Sequence, residues 1–215
     1  MSRSAQFEPV PCHVRPAVAA DLLAVAEVLV SSFYPPLGWQ RWLHPLFRFS
    51  IYEDLKQRGR AGHEYYCCLA AIAPGRHDHQ PAVVGTVEIT QRPPNLWTFQ
   101  RSRQIYLSNL AVKASHRRQG VARRLLQAAE KQALSWGFQE LSLHVMTDNT
   151  RARQLYQKLG YQLQRVEPTF LSILNLQPAR LRLYKGLTSP AQPSRCRYPE
   201  PPPRDSTPPP RLLDS

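Results

Sequence analysis

Arg117-Arg118-Gln119-Gly120-Val121-Ala122 is the segment whose residue types and spacing are most capable of chemistry. An apolar, strand-like run, Ile105–Val112, precedes it and a long amphipathic helical pattern follows. That order places a helix N-terminus, with its unbonded backbone N–H groups, just beyond the end of a strand. Such N–H groups, the positive end of the helix dipole and flanking arginines together favour a phosphate group. Gly120 allows close approach of the backbone to a ligand, and Ala122 adds little bulk beside it. The competing reading of the arginines is a solvated basic surface, since only Arg117-Arg118 and Arg123-Arg124 cluster in a chain of net charge +13.

Such a turn needs a scaffold. Val14-Arg15-Pro16 predicts an edge strand, where proline is tolerated. Leu22, Leu23, Val25, Ala26, Val28 and Leu29 form a helical stripe within Asp21–Ser32, and Pro35-Pro36 breaks it. Trp39–Gln57 predicts one or two further helices. The aromatics there, Phe33, Tyr34, Trp39 and Trp42, are read either as core packing or as the lining of an acceptor pocket. Tyr65–Ala73 and Ala82–Gln91 read as an antiparallel pair joined by the polar link Pro74–Gln80. Pro93–Arg103 is a loop, Ile105–Val112 a central strand, and Val121–Trp136 a helix stopped at Gly137. Leu141–Met146 is the next strand and Asn149–Leu159 a short helix ended by Gly160. Tyr161–Pro168 and Arg180–Lys185 supply the last strands. Strands interleaved with helices in this way indicate an α/β fold with a partly antiparallel sheet.

The 215 residues fit one domain with appendages. No apolar run approaches the roughly 20 residues that span a bilayer, so no membrane partner is expected. The first residues lack the apolar segment of a secretory signal. The cytoplasm is therefore the expected compartment, with a short organelle transit segment as the alternative. The four cysteines contain no C-x-x-C pair, and adjacent Cys67 and Cys68 in a strand point to opposite faces, so they read as thiols. From Thr188 onward nine of the chain's 21 prolines accumulate. That segment is expected to stay disordered and partly polyproline II.

The turn then carries a resemblance. Arg117-x-x-Gly120-x-Ala122 resembles the [Q/R]-x-x-G-x-[G/A] acetyl-CoA signature of the Gcn5-related N-acetyltransferases (GNAT). Asn149-x-x-Ala152-x-x-Leu155-Tyr156, followed by Leu159-Gly160-Tyr161, is similar to that family's second signature. The two together are far more specific than a lone glycine-containing turn. The resemblance runs from His13 to Leu187. It implies three parts: an extension over 1–12, an acetyltransferase domain over 13–187 and the proline-rich tail over 188–215. Leu-Ser-Asn-Leu-Ala-Val before the turn and Leu-His-Val after it look most like plastid/cyanobacterial-type and protein N-terminal or lysine acetyltransferases.

What the resemblance implies is specific. The fold is a mixed, mostly antiparallel, twisted sheet, splayed at two central parallel strands and flanked by helices. The co-substrate is acetyl-CoA, and no metal is implied. The pantetheine arm enters between Ile105–Val112 and Leu141–Met146, with Leu110, Ala111 and Val112 facing its amides. Arg117 opens the signature, and backbone N–H groups of Arg118, Gln119, Gly120, Val121, Ala122 and Arg123 hold the pyrophosphate. Asn149 lies near the cofactor, caps its own helix, or does both. Tyr156 matches the general acid that protonates the departing thiolate, against the alternative of a packing tyrosine bonded to backbone.

The base is open between two sites. His144 suits deprotonation of an ammonium acceptor, and Tyr106 faces the same gap from the other strand. The two resemble the Tyr/His pair of some N-terminal acetyltransferases. Glu88 is the other candidate, its bland alternative being a solvent-facing strand carboxylate. The implied reaction is acetyl transfer to a primary amine, at a protein N-terminus or a lysine. The alternatives are a small-molecule amine acceptor, or a non-catalytic module that binds acetyl-CoA or associates with RNA or the ribosome through its basic charge. The acceptor itself and the oligomeric state have no readable code.

Overall fold

The computed structural model describes residues 12–34, 42–74, 81–92, 104–168 and 178–187. Residues 1–11 of the 1–12 extension, 75–80 of the Pro74–Gln80 link, the loop over 93–103, most of Val166–Ala179 and the proline-rich tail therefore lie outside the described residues.

Seven strands form one sheet in the order β1-β2-β3-β4-β5-β7-β6. They are β1 (His13–Pro16), β2 (Tyr66–Pro74), β3 (Pro81–Arg92), β4 (Gln104–Val112), β5 (Glu140–Met146), β6 (Gln162–Glu167) and β7 (Arg180–Gly186). Every neighbouring pair is antiparallel except β4 and β5, which run parallel. This is the mixed, mostly antiparallel α/β sheet anticipated above. β1, with Pro16, sits at one edge, where a missing N–H costs no ladder bond.

Helices cover both faces. On one side α1 (Leu22–Phe33) buries Leu22, Val25, Ala26, Val28, Leu29 and Val30. They pack against Tyr66, Cys68, Ala70, Ile72 and Ala111 of the sheet. On the other side α3 (Val121–Ser135) buries Val121, Leu125, Leu126, Ala129 and Ala133, the i, i+4 stripe of an amphipathic helix. It is joined there by Tyr156 of α4 (Thr150–Lys158). β2 is buried on both faces along Tyr66–Ala73 because it lies between the two layers. Cys67 joins the α3 layer and Cys68 the α1 layer, both as thiols rather than disulfide partners.

α2 (His44–Arg60) differs from the expected Trp39–Gln57. Trp39 lies outside the described residues. The helix begins with Pro45 in its first turn, where the missing N–H is harmless, and runs on through Gly59 to Arg60. It buries only Leu55.

Two details of packing set the positions of the central elements. A Cβ on Gly85 would stand 3.0 Å from Leu125 Cδ1 and 3.1 Å from the Ala111 carbonyl, so glycine lets α3 lie close on β3 and β4. In β4, Asn109 has φ of 53°, and the register against β3 shifts between Thr86 and Glu88. This bulge explains why Ile105 and Leu107 join the α3 layer, as does Val112, whereas Ala111 joins the α1 layer.

Candidate active site

β4 and β5 are paired only from Ile105–Leu141 to Leu107–Leu143. The bulge at Asn109 follows directly, and it bends β4 away from β5. The two strands therefore part in the middle of the sheet, in the segments where Leu110, Ala111 and Val112 continue β4 and His144, Val145 and Met146 continue β5. Leu110 is half-buried against the α3 layer, and Ala111 and Val112 are buried.

The basic turn follows β4. Ala114–His116 makes one 3-10 turn, and the chain then reaches α3 through Arg118 at φ 66° and Gly120 at φ 80°. Among the described residues no side chain caps the α3 N-terminus, and a Cβ added at Gly120 would meet nothing within 4 Å. The first amides of α3 thus face open space beside the exposed Arg118 and Arg123. The other side chains are tied back. Arg117 Nε donates to the Val112 carbonyl at 3.0 Å, Gln119 Nε2 donates to Ser115 O at 3.1 Å, and Val121 is in the core. Arg124 is turned to β1, where its Nη1 donates to Cys12 O at 2.9 Å. Ala122 is half-buried against the core. What this turn offers a ligand is backbone N–H and positive potential, with Arg117 and Gln119 holding its shape.

Tyr156 projects from α4 and is 7% exposed. Burial, with a contribution from the nearby Tyr106 phenol, pushes its pKa up to about 12. Its ring packs edge-on against Tyr161 at 5.6 Å between centroids. No hydrogen bond joins its hydroxyl to any described residue, and its ring packs in the α3-side core. Asn149 caps α4, its Oδ1 accepting from Ala152 N at 3.1 Å.

Tyr106 and His144 meet across the last paired rungs of β4 and β5. The Tyr106 hydroxyl lies 2.9 Å from His144 Nδ1. On its other side His144 Nε2 lies 3.0 Å from Glu167 Oε2. A carboxylate only accepts, so Nε2 carries the proton and Nδ1 accepts from Tyr106. Burial pushes the His144 pKa below the ordinary histidine range, with Arg180 and Arg92 acting in the same direction and Glu167 opposing them. The imidazole is therefore neutral at pH 7. Burial works against ionisation of Glu167, but Arg165, at 2.9 Å, and His144 outweigh it and hold the carboxyl below the usual range.

Glu88 is not the solvent-facing strand carboxylate of its bland alternative. Far from facing solvent, it is 1% exposed. Arg58 Nη1 donates to its Oε2 at 2.5 Å, the Tyr66 hydroxyl to the same oxygen at 3.1 Å, and Asn109 Nδ2 to Oε1 at 2.6 Å. Burial nevertheless raises its pKa, outweighing these three partners. Its donors come from α2, β2 and the β4 bulge, so this carboxylate links three elements around the gap.

The early aromatics are not core. Phe33 is 51% exposed, Tyr34 49% and Trp42 88%. Tyr34 stacks on Phe47 at 4.9 Å between centroids. The residues that sequence reasoning missed are Glu167, Arg58, Asn109 and Arg92, whose guanidinium lies 3.3 Å from the Tyr106 ring centroid.

The model of the acetyltransferase (GNAT) family matches residues 26–161 of the chain. GCN5-related N-acetyltransferase 7, chloroplastic, from Arabidopsis thaliana is 36% identical over 140 residues, which is 59% of this chain and 49% of that protein. GCN5-related N-acetyltransferase 10, chloroplastic, from the same plant is 33% identical over 159 residues, 71% of this chain and 62% of that protein. The chain thus spans between about half and under two thirds of the length of these relatives. In fold it is similar to the crystal structure of Arabidopsis thaliana NAA60 in complex with a bisubstrate analogue, with a TM-score of 0.58 and 19% identity, covering 83% of this chain and 100% of that one.

Proposed function

The chain belongs to the acetyltransferase (GNAT) family, and from that premise we propose that it moves an acetyl group from acetyl-CoA to a primary amine, with a protein N-terminal α-amine as its acceptor. The observation that carries the acceptor chemistry is the hydrogen-bonded line from Tyr106 through His144 to Glu167, set where β4 and β5 part.

The residues present fit acetyl-CoA. The uncapped α3 N-terminus, the open space over Gly120 and the exposed Arg118 and Arg123 suit a pyrophosphate. At Leu110–Val112 β4 is paired with β3 but not with β5, and its β5-facing edge offers backbone groups to an amide-bearing arm. When bound, the cofactor supplies a thioester carbonyl to be attacked.

The chain's own residues handle two protons. An amine is an ammonium ion at neutral pH and must lose a proton to become a nucleophile. The Tyr106 oxygen takes that proton as its own hydroxyl proton passes to His144 Nδ1. The imidazolium so formed is held by the ionised Glu167. On the opposite side of the gap Tyr156, kept protonated by burial, gives its hydroxyl proton to the departing thiolate. Glu88 holds α2, β2 and the bulge together rather than receiving a proton, because Arg58, Tyr66 and Asn109 already occupy it.

Mass spectrometry of the proteome of a bacterial host expressing the chain tests this. Acetylated N-termini should be present with the wild type and lost with His144→Ala. Marks on lysines alone would move the acceptor to an ε-amine. Marks lost with Glu88→Gln but kept with His144→Ala would transfer the base to Glu88.

A further inference from the structure

One face of the half-sheet beyond the gap is built of arginine. Pairing sets Arg182 opposite His144 and Arg180 opposite Met146 across β5 and β7. Across β7 and β6 it sets Arg165 opposite Arg182 and Glu167 opposite Arg180. Cross-strand partners project to the same side of a sheet, so all of these share the face that carries His144. The residues between them, Leu143, Val145, Leu181 and Leu183, point the other way and are buried. Arg92 joins from the opposite flank through its stacking on Tyr106.

Among the described residues, four arginines (Arg92, Arg165, Arg180 and Arg182) therefore meet one carboxylate, Glu167, around His144, and His144 and Arg165 already engage it. The other acid on this side of β5, Glu140, stands at the far end of the strand opposite Gly186. Glu88 is ion-paired to Arg58. Within the protein, Arg182 bonds Gln104 and Arg165 bonds Glu167. The excess positive charge raises the energy of the folded chain by like-charge repulsion. Arg180 and Arg182 are separated from β4, which the phosphate turn follows, by β5, and Arg165 by β5 and β7.

We infer that this arginine face seats the acceptor, and that the acceptor is an acidic peptide: a free amino terminus with Asp or Glu at its second to fourth residues. Neighbouring strands lie about 4.8 Å apart, which puts Arg182 about 5 Å and Arg165 about 10 Å across the sheet from His144. An extended peptide rises about 3.3 Å per residue, so with its amine at Tyr106 and His144 its next few side chains fall over these guanidinium groups. Carboxylates there are matched, and lysines are repelled. A nucleic acid is less well matched, since Arg180 and Arg182 are half-buried in the sheet beside the reacting end rather than spread over an exposed surface. The inference rests on the acetyl-transfer reading above.

The experiment is a steady-state comparison, with acetyl-CoA, of three peptides alike in length and first residue. They carry Asp-Glu, Ser-Gln or Lys-Arg at positions two and three. The acidic peptide should exceed the neutral one by about tenfold in kcat/KM, which corresponds to two partly screened ion pairs, and the advantage should shrink as salt rises. Arg180→Glu should reverse the order between acidic and basic peptides, and Arg180→Gln should level it, with melting temperatures showing that both variants fold. Equal rates, or a faster basic peptide, would overturn the acidic preference while leaving peptide acetylation standing. Acetylation of a small amine but of no peptide would overturn both. Inhibition by a single-stranded RNA at lower concentration than the acidic peptide requires would assign the face to nucleic acid instead.

Discussion

The two sides of the gap are made of different material. The turn from Arg117 to Arg123 is seven residues of backbone shape, with φ of 66° at Arg118 and 80° at Gly120, and the side chains of Arg117 and Gln119 are tied to their own main chain. The Tyr106–His144–Glu167 line is made of side-chain atoms drawn from β4, β5 and β6, with Glu167 reaching His144 past the intervening strand β7. A site of amides is indifferent to most substitutions but fails when its path is filled. A site of side chains keeps its shape under substitution but loses function with a single proton.

The strongest way to break this contrast is Gly120→Glu. It puts a side chain on a left-handed residue and a negative charge where a pyrophosphate would sit. Calorimetric binding of acetyl-CoA should disappear, while a folded protein remains. Retained affinity would mean that the turn is not the phosphate site. Next in size is Tyr156→Phe, which keeps the ring and removes the proton. Affinity for acetyl-CoA should persist while kcat falls by about 10²–10⁴-fold. Near-full kcat with chemistry rate-limiting would remove Tyr156 from the reaction.

Glu167→Gln sharpens the contrast on the other side, with a fall in kcat of about tenfold. Its pH profile carries more information. The Glu167 carboxylate stabilises the imidazolium and so holds the His144 pKa up against burial. Without it the pKa drops further, and the acid limb of kcat/KM, where His144 becomes protonated, should move to lower pH. A limb that stays in place would make Glu167 a structural partner of Arg165 only. Gly85→Ala should act between the two regions, through the 3.0 Å approach to Leu125 and the 3.1 Å approach to the Ala111 carbonyl. Overpacking of this kind typically costs about 1–3 kcal/mol, read as a lower denaturation midpoint. The smallest effect, none, is expected from ending the chain at Leu187. That residue is 8% exposed, and its N–H donates to Gln139 O at 2.6 Å, closing the described fold. A fall of several degrees in Tm would show that the segment after it contributes to folding.

The amide-built side was legible from sequence because it is local. A strand, a glycine-containing turn and a helix follow one another along the chain, and their periodicities change where the elements change. The same holds for the stripe of α1 and for the cap at Asn149, which is read from one residue and its neighbour three positions on. The side-chain side was legible only in its first two members. Tyr106 and His144 lie on strands whose parallel pairing could be anticipated, whereas Glu167 depends on β7 inserting between β5 and β6, an order that no local pattern encodes. The solvent-facing alternative for Glu88 fails for the same reason. Its alternation within β3 fits a solvent-facing position, and only the arrival of Arg58 from a helix 30 residues away makes it an interior ion pair. The start of α2 was also hidden, because a helix with a single buried residue has no clear stripe to read.

The extra residue at Asn109 has a further consequence. Sheets ordinarily end in edges at their two outer strands, and those unpaired edges invite any extended chain to add itself. By bending β4 just past Leu107, the bulge gives this sheet a third edge, in its interior, between two strands that are otherwise neighbours. That edge is flanked by the tyrosines and histidine on one side and the α3 amides on the other. It is too short to receive another protein's strand, yet it is long enough for a slender molecule that carries amide groups of its own. Deleting Asn109 should zip β4 to β5 and abolish ligand binding without removing any residue that a ligand would touch.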